Sequence, residues 1–322
     1  MNVDLIDVRG TNHTRAASRP AMQRTLVKIR RHWQLYLIIA VPTAFLIIFN
    51  YIPMAGVQIA FRDYGPIGGI WGSPWIGLQE FQFLFQSPVL WPLIQNTLTI
   101  SLYALAMGTP AAIILALAVN EVKHVAFRRT VQMVTYAPYF ISTVVLVGMM
   151  VLILSPDTGP LAAIAGRVGA KAPNLLISST AFPSLYVWSG VWQESGYSAI
   201  IYLAALANVN VELYEAARID GASRWQKIRY IDFQAIKPTM TILTILAAGN
   251  IMGVGFEKVY LLQNPLNLST SEIISTYVYK TGLLDANYSF AAAVGLFNSV
   301  INLILILIVN LVARRVSDIS LF

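Results

Sequence analysis

The chain has 322 residues, 57% hydrophobic and only 11% charged, with a formal net charge of +7. Soluble domains average about 25% charged residues and one packed core rarely exceeds roughly 300 residues, so the composition points to the bilayer rather than to a soluble enzyme. Cysteine is absent, which excludes disulfides, thiolate metal sites and cysteine nucleophiles; His13, His32 and His124 lack metal-ligand spacing, and no metal site is expected.

Residues 1–33 are polar and basic, carrying Arg9, Arg15, Arg19, Arg24, Lys28, Arg30 and Arg31. They read as a cytoplasmic tail that ends in an interfacial helix over 22–33. Six apolar runs follow, at 34–51, 94–120, 131–154, 184–207, 239–256 and 291–312, each close to the roughly 20 residues that cross a bilayer as a helix. None contains a lysine or arginine. The predicted fold is therefore all-α, a polytopic membrane protein with six transmembrane helices. The first run is expected to stay in the mature chain. It is too long for a signal peptide, lies behind a 33-residue tail and precedes no small-residue cleavage site.

Between runs one and two lies a loop dense in Gly, Pro and aromatics, "DYGPIGGIWGSPWIGLQEFQFLF". Trp71 and Trp75 in it are expected to pack at headgroup depth rather than to touch a ligand. The loop at 155–183 is similar and less aromatic. Of the 22 basic residues, 17 fall in the tail, the second-to-third connection, the fourth-to-fifth connection and the C-terminus; Arg62, Arg167, Lys171, Lys258 and Lys280 fall on the other side. That split is the positive-inside pattern, and it places both termini in the cytoplasm. The positive charge is thus a topology signal with affinity for anionic lipid, and no nucleic-acid partner is expected.

Polar side chains inside spans usually face a bundle interior or a watery cavity. Glu194 is the one acid near mid-membrane, in the fourth run. Trp188 and Trp192, four apart, and Glu194 and Tyr197, three apart, form two adjoining helical rows that mix aromatic faces with polar groups. Packing against another subunit is the competing reading. In the fifth run Asn250, Gly253 and Glu257 share one helical face, and Glu257 and Lys258 stand at its outer end, where a plain interfacial ion pair competes with a substrate role. Asn298, Asn302 and Asn310 in the sixth run are expected to join helices.

The cytoplasmic connection at 208–238 is different. Residues 211–220 favour helix, Asp220-Gly221 gives a stop, and Ser223 with Gln226 forms a capping-box pair that starts a second helix. Trp225, Ile228 and Ile231 follow at helical spacing. The small residues Ala216, Ala217 and Gly221 allow another backbone to come close, with charges around them to set register. The residues alone leave two readings open, a surface tether or a docking knob for a soluble partner.

This stretch resembles the EAA loop of permease subunits of bacterial ABC importers, whose pattern is E-A-A, three residues, G, nine residues, then I-x-L-P. Glu215, Ala216, Ala217, Gly221 and Ile231 match; Phe233 and Gln234 replace the usual Leu and Pro, which leaves Pro238 to end the second coupling helix. "YIPMAGVQIAFRDYGPIGGIWGSPWIGLQEF", "FRRTVQMVTYAPYFIS", "YEAARIDGASRWQKI" and "GFEKVYLLQNP" are similar to the carbohydrate branch, to permeases for oligo- and polysaccharides, alginate importers among them. The resemblance implies a transmembrane domain over 34–322 whose Glu215, Ala216, Ala217, Asp220, Gly221 and Trp225 couple to cytoplasmic ATPases. It implies a second permease, two ATPase subunits and an extracytoplasmic sugar-binding protein as partners. ATP and Mg would be bound by the ATPases, and no cofactor or catalytic residue is expected here, since the phosphate-cradling pattern G-x-x-x-x-G-K-[ST] does not occur. The rival classes are an ion-gradient-driven secondary transporter, which would call for several buried acids, and a non-transporting scaffold or sensor subunit, which needs no polar midplane.

Overall fold

The computed structural model describes residues 31–316, so most of the predicted 22–33 helix lies outside the described residues. The described residues are almost wholly helical; the only β feature among them is an isolated bridge between Arg62 and Trp75. The chain divides into two compact units, Met1–Gly56 and Val57–Phe322.

In the first unit α1 (Trp33–Leu46) continues into a π-turn at Ile47–Tyr51. No residue of α1 is buried, although nearly every side chain is apolar. A helix apolar all round is the pattern of a membrane span.

The second unit is built on α2 (Leu90–Asn120) and α5 (Phe182–Ala207), the most extensively paired helices of the chain. Towards one end they share a core with α8 (Phe233–Ala248), made by Ala112, Ala116, Ala199, Tyr202 and Ile236. Towards the other, Ile100 and Phe182 pack with Met150 of α4 (Thr143–Leu154) and with Val259 and Leu262 of α9 (Phe256–Leu262). A third cluster joins Leu93 to Ile274 of α10 (Ile274–Tyr279) and to Phe290 and Val294 of α11 (Tyr288–Val316). Small residues permit the closest approaches. A Cβ on Gly196 would overlap the backbone carbonyl of Thr135 in α3 (Val125–Tyr136), so α5 and α3 meet backbone to backbone. In the loop before α2, Trp75 stacks on Phe61 at 5.5 Å, and the Arg62 guanidinium lies 5.9 and 5.5 Å from the Trp71 and Trp75 rings.

Among the described residues three helices are long and apolar enough to cross a membrane alone: Trp33–Phe61, Leu90–Asn120 and Tyr288–Val312. Two bent pairs raise the number to five, Val125–Phe140 with Thr143–Leu154 (99°) and Phe182–Ala207 with Val211–Ile219 (75°). The predicted third span, read as one helix over 131–154, is thus corrected to a broken one. Pro138 sits in a 3-10 turn (Ala137–Phe140), Ile141 is extended, and Ser142 caps α4 by accepting the Val145 N–H. The carbonyl freed at the break is not wasted: Gln193 of α5 donates to Ile141 O at 2.8 Å.

The fifth predicted span, 239–256, is corrected too. α8 stops at Ala248, and the Gly-rich stretch before α9 turns the chain. Its backbone groups are met from other helices. Asn302 accepts the Met252 N–H at 3.0 Å, Ser101 donates to Ile251 O, and the Tyr186 hydroxyl accepts the Gly255 N–H at 3.2 Å. Asn250 and Glu257 therefore do not share one helical face. Nor does Pro238 end a helix: it lies inside α8, which runs on from a π-turn at Ile228–Asp232 whose loosened hydrogen bonding lies just ahead of the proline.

Candidate functional site: a polar cavity and an exposed helix-turn-helix

A cavity of about 360 Å³ opens between α2, α5, α8 and α9. One stripe of α5 lines it at intervals of four residues: Tyr186, Gly190, Glu194 and Ser198. That spacing keeps one helical face towards the opening, and it was readable in the sequence as a small-and-polar stripe. From α9 comes Lys258, only 8% exposed, which donates to Tyr186 O at 2.8 Å and lies 4.7 Å from the centre of the Tyr186 ring.

The other candidates are distributed differently. Trp188 and Trp192 line a neighbouring recess with Pro138, separated from the cavity by Val191 and Ser195, which line both. Trp188 also donates to the Tyr103 hydroxyl at 3.1 Å. Tyr197 lines neither space; it is stacked on Tyr139, ring centres 3.8 Å apart. Asn250 is exposed in the turn after α8, and Glu257 is exposed in the first turn of α9. Of the seven candidate pathway residues, then, Glu194 and Lys258 share the cavity, the two tryptophans stand beside it, and Tyr197, Asn250 and Glu257 lie elsewhere.

The second feature is the segment after α5. Asn210 caps α6 (Val211–Ile219) by accepting the Glu212 N–H at 3.0 Å. The helix ends in a Schellman arrangement: Ala222 N–H bonds to Ala217 O at 2.8 Å and Gly221 N–H to Arg218 O at 3.2 Å, with Gly221 at φ +69°. Ser223 and Gln226 then form the reciprocal capping box that opens α7 (Arg224–Lys227). Glu215, Ala216, Asp220, Gly221 and Trp225 are all exposed, and Ala217 is half-buried. Ile219 and Trp225, flanking the turn, are 86% and 70% exposed.

Beneath this segment lies a polar brace that the sequence reading missed. The Tyr214 hydroxyl donates to Asp232 Oδ1 at 2.6 Å, and the Asp232 carboxylate is completely buried. Lys227 pairs with Glu121, the residue after α2, and its ammonium lies 5.2 Å from the Tyr214 ring centre. Burial first, then the hydrogen bond to Asp232 and that carboxylate's charge, push the Tyr214 hydroxyl well above the ordinary tyrosine range. Its neutral, donating form is thus favoured in the folded state. The brace is fully present at neutral pH and is lost only as pH rises past that range. It ties the helix-turn-helix to the end of α2, and α2 walls the cavity.

Over residues 108–318 the chain matches the family of binding-protein-dependent transport system inner membrane components. The protein belongs to that family. It is a membrane transport component. Among relatives, it is 39% identical to the polygalacturonan/rhamnogalacturonan transport system permease protein YteP of Bacillus subtilis, covering 92% of each chain. Protein LplB of the same organism is 37% identical, with 92% of this chain and 93% of that one covered. Among solved structures, a chain of a bacterial ABC transporter for the acidic polysaccharide alginate is 39% identical with a TM-score of 0.85, covering 91% of this chain and 99% of that one. A second, from an alginate transporter in complex with its pentasaccharide-bound periplasmic protein, is 38% identical at the same TM-score. The matched region contains both the cavity wall on α5 and the whole helix-turn-helix.

Proposed function

We propose that the chain is the permease subunit of an ATP-driven ABC importer for acidic oligo- or polysaccharides in a bacterial inner membrane. The observation that carries this reading is the near full-length similarity to the alginate and polygalacturonan/rhamnogalacturonan permeases, together with a polar cavity inside an otherwise apolar bundle. The transmembrane domain is taken as 34–322, with 1–33 a basic tail. Its six crossings are three self-sufficient helices, the bent pair of α3 and α4, α5 by itself, and α8 with α9 as a broken sixth. Both termini face the cytoplasm, as the basic residues favour. A second permease faces the cavity, and an extracytoplasmic binding protein delivers the sugar. Two cytoplasmic ATPases, which hold ATP and Mg, receive the 208–238 loop, where exposed Ile219 and Trp225 offer apolar contact beside a glycine turn.

Closure of the ATPases pushes on that loop. The Tyr214–Asp232 bond and the Lys227–Glu121 pair pass the displacement to α2, which is packed along α5 and so moves a wall of the cavity. Import has a direction because the sugar fits one state of the cavity better than the other. Glu194 accepts sugar hydroxyls within the path, and the tryptophans beside it supply apolar faces.

Glu194→Gln is expected to lower transport by the assembled complex roughly tenfold, because a charged acceptor's hydrogen bonds are about twice as strong as a neutral one's. Assembly and nucleotide binding should persist. Co-purification of all subunits and sugar uptake, measured on the same preparation, check this. Loss of the partner permease with substrate preference intact would move Glu194 from the path to the subunit interface.

A further inference from the structure

Lys258 is unusual for its surroundings. Its ammonium is withdrawn from water, yet its direct partners are neutral: the Tyr186 carbonyl and the Tyr186 ring. Among the described residues no carboxylate forms an ion pair with it, while Lys227 and Lys280 each have one. Glu194 shares the cavity without closing on it. The position of the ammonium is set across the bundle, for a Cβ on Gly190 would stand 3.2 Å from Nζ. A side chain at 190 would crowd the charge, so glycine there lets a lysine from α9 reach the wall of α5.

A buried ammonium is best matched by a charged acceptor, and one hydrogen bond to a carbonyl uses one of its three donors. We infer that Lys258, seated over Gly190, is the carboxylate-recognising group of the cavity, and that the permease itself favours uronate residues over neutral sugars. The inference rests on the cavity being the sugar path, as proposed above. It adds that acidic specificity is held inside the membrane as well as by the binding protein. Glu194 then takes the hydroxyl side of the same sugar.

The test uses the assembled complex with its binding protein, reconstituted in vesicles and supplied with a uronate oligosaccharide or its carboxyl-reduced, neutral counterpart. For each sugar the variant rate is divided by the wild-type rate, which cancels the binding protein's preference. Lys258→Met is expected to cut the ratio for the acidic sugar roughly tenfold and the neutral one by less than about twofold, as expected when a paired charge loses its partner. Lys258→Arg should restore most of the acidic rate. Gly190→Ala, which keeps the charge and displaces it, should shift preference in the same direction less strongly, and it decides the matter if Lys258→Met fails to assemble. Equal losses for both sugars in Lys258→Met and Gly190→Ala would overturn the inference and leave the sugar path standing. A wild-type complex that moves neither sugar would instead overturn the path, and the inference with it.

Discussion

Replacing Gly221 by aspartate should abolish most transport while leaving the subunit inserted and assembled with its partner permease. Gly221 has a φ of +69°, a conformation that Asp tolerates better than most residues, and nothing lies within 4 Å of where its Cβ would be. An L side chain at this positive φ costs about 1–2 kcal/mol, confined to one exposed turn, which the fold survives. A loss must come from outside this chain, from a partner that approaches the exposed turn closely and meets an added carboxylate beside Asp220. A fall of roughly tenfold or more corresponds to about 1.4 kcal/mol or more of docking free energy. Uptake per complex and ATPase co-purification measure it. Wild-type uptake would reduce the segment to a tether.

The second large effect concerns the brace. Tyr214→Phe removes a hydrogen-bond donor to a carboxylate that is completely buried and whose Oδ2 has no hydrogen-bond partner among the described residues. Leaving such a group unsatisfied costs about 1–3 kcal/mol, and more when it is charged. We expect a lower melting temperature, together with ATP hydrolysis that no longer tracks sugar uptake. The double variant Tyr214→Phe/Asp232→Leu removes donor and acceptor together and should be more stable than Tyr214→Phe alone. Additive losses in thermal melts would show that the two residues act separately and that the brace transmits nothing.

The helix-turn-helix was legible because its signals are local. The Asp220-Gly221 stop and the Ser223/Gln226 box act within a few residues, and their geometry appears where expected. The apolar runs were legible as well, but their continuity was not. Breaks at Ile141 and after Ala248 are stable because distant side chains satisfy the freed backbone: Gln193 for the first, and Asn302, Ser101 and Tyr186 for the second. No window along the chain contains that information. Pro138 alone hinted at the first break. The same holds for the site. Glu194 stood out as an acid in an apolar run, whereas Lys258 reads as an end-of-span charge until the turn after α8 brings α9 back against α5. Trp225 was expected to continue an apolar stripe with Ile228 and Ile231 and instead projects outwards, because the π-turn at Ile228–Asp232 shifts the faces of the helix around it. Tyr214 and Asp232 are 18 residues apart, and no spacing rule links them.

The most direct test of the account is uptake of a labelled uronate oligosaccharide into vesicles containing the assembled complex, with ATP or an imposed ion gradient as the only energy source. The account predicts uptake that needs hydrolysable ATP and the binding protein and ignores the gradient, with no ATP hydrolysis by this chain alone. Uptake driven by the gradient without nucleotide would contradict it.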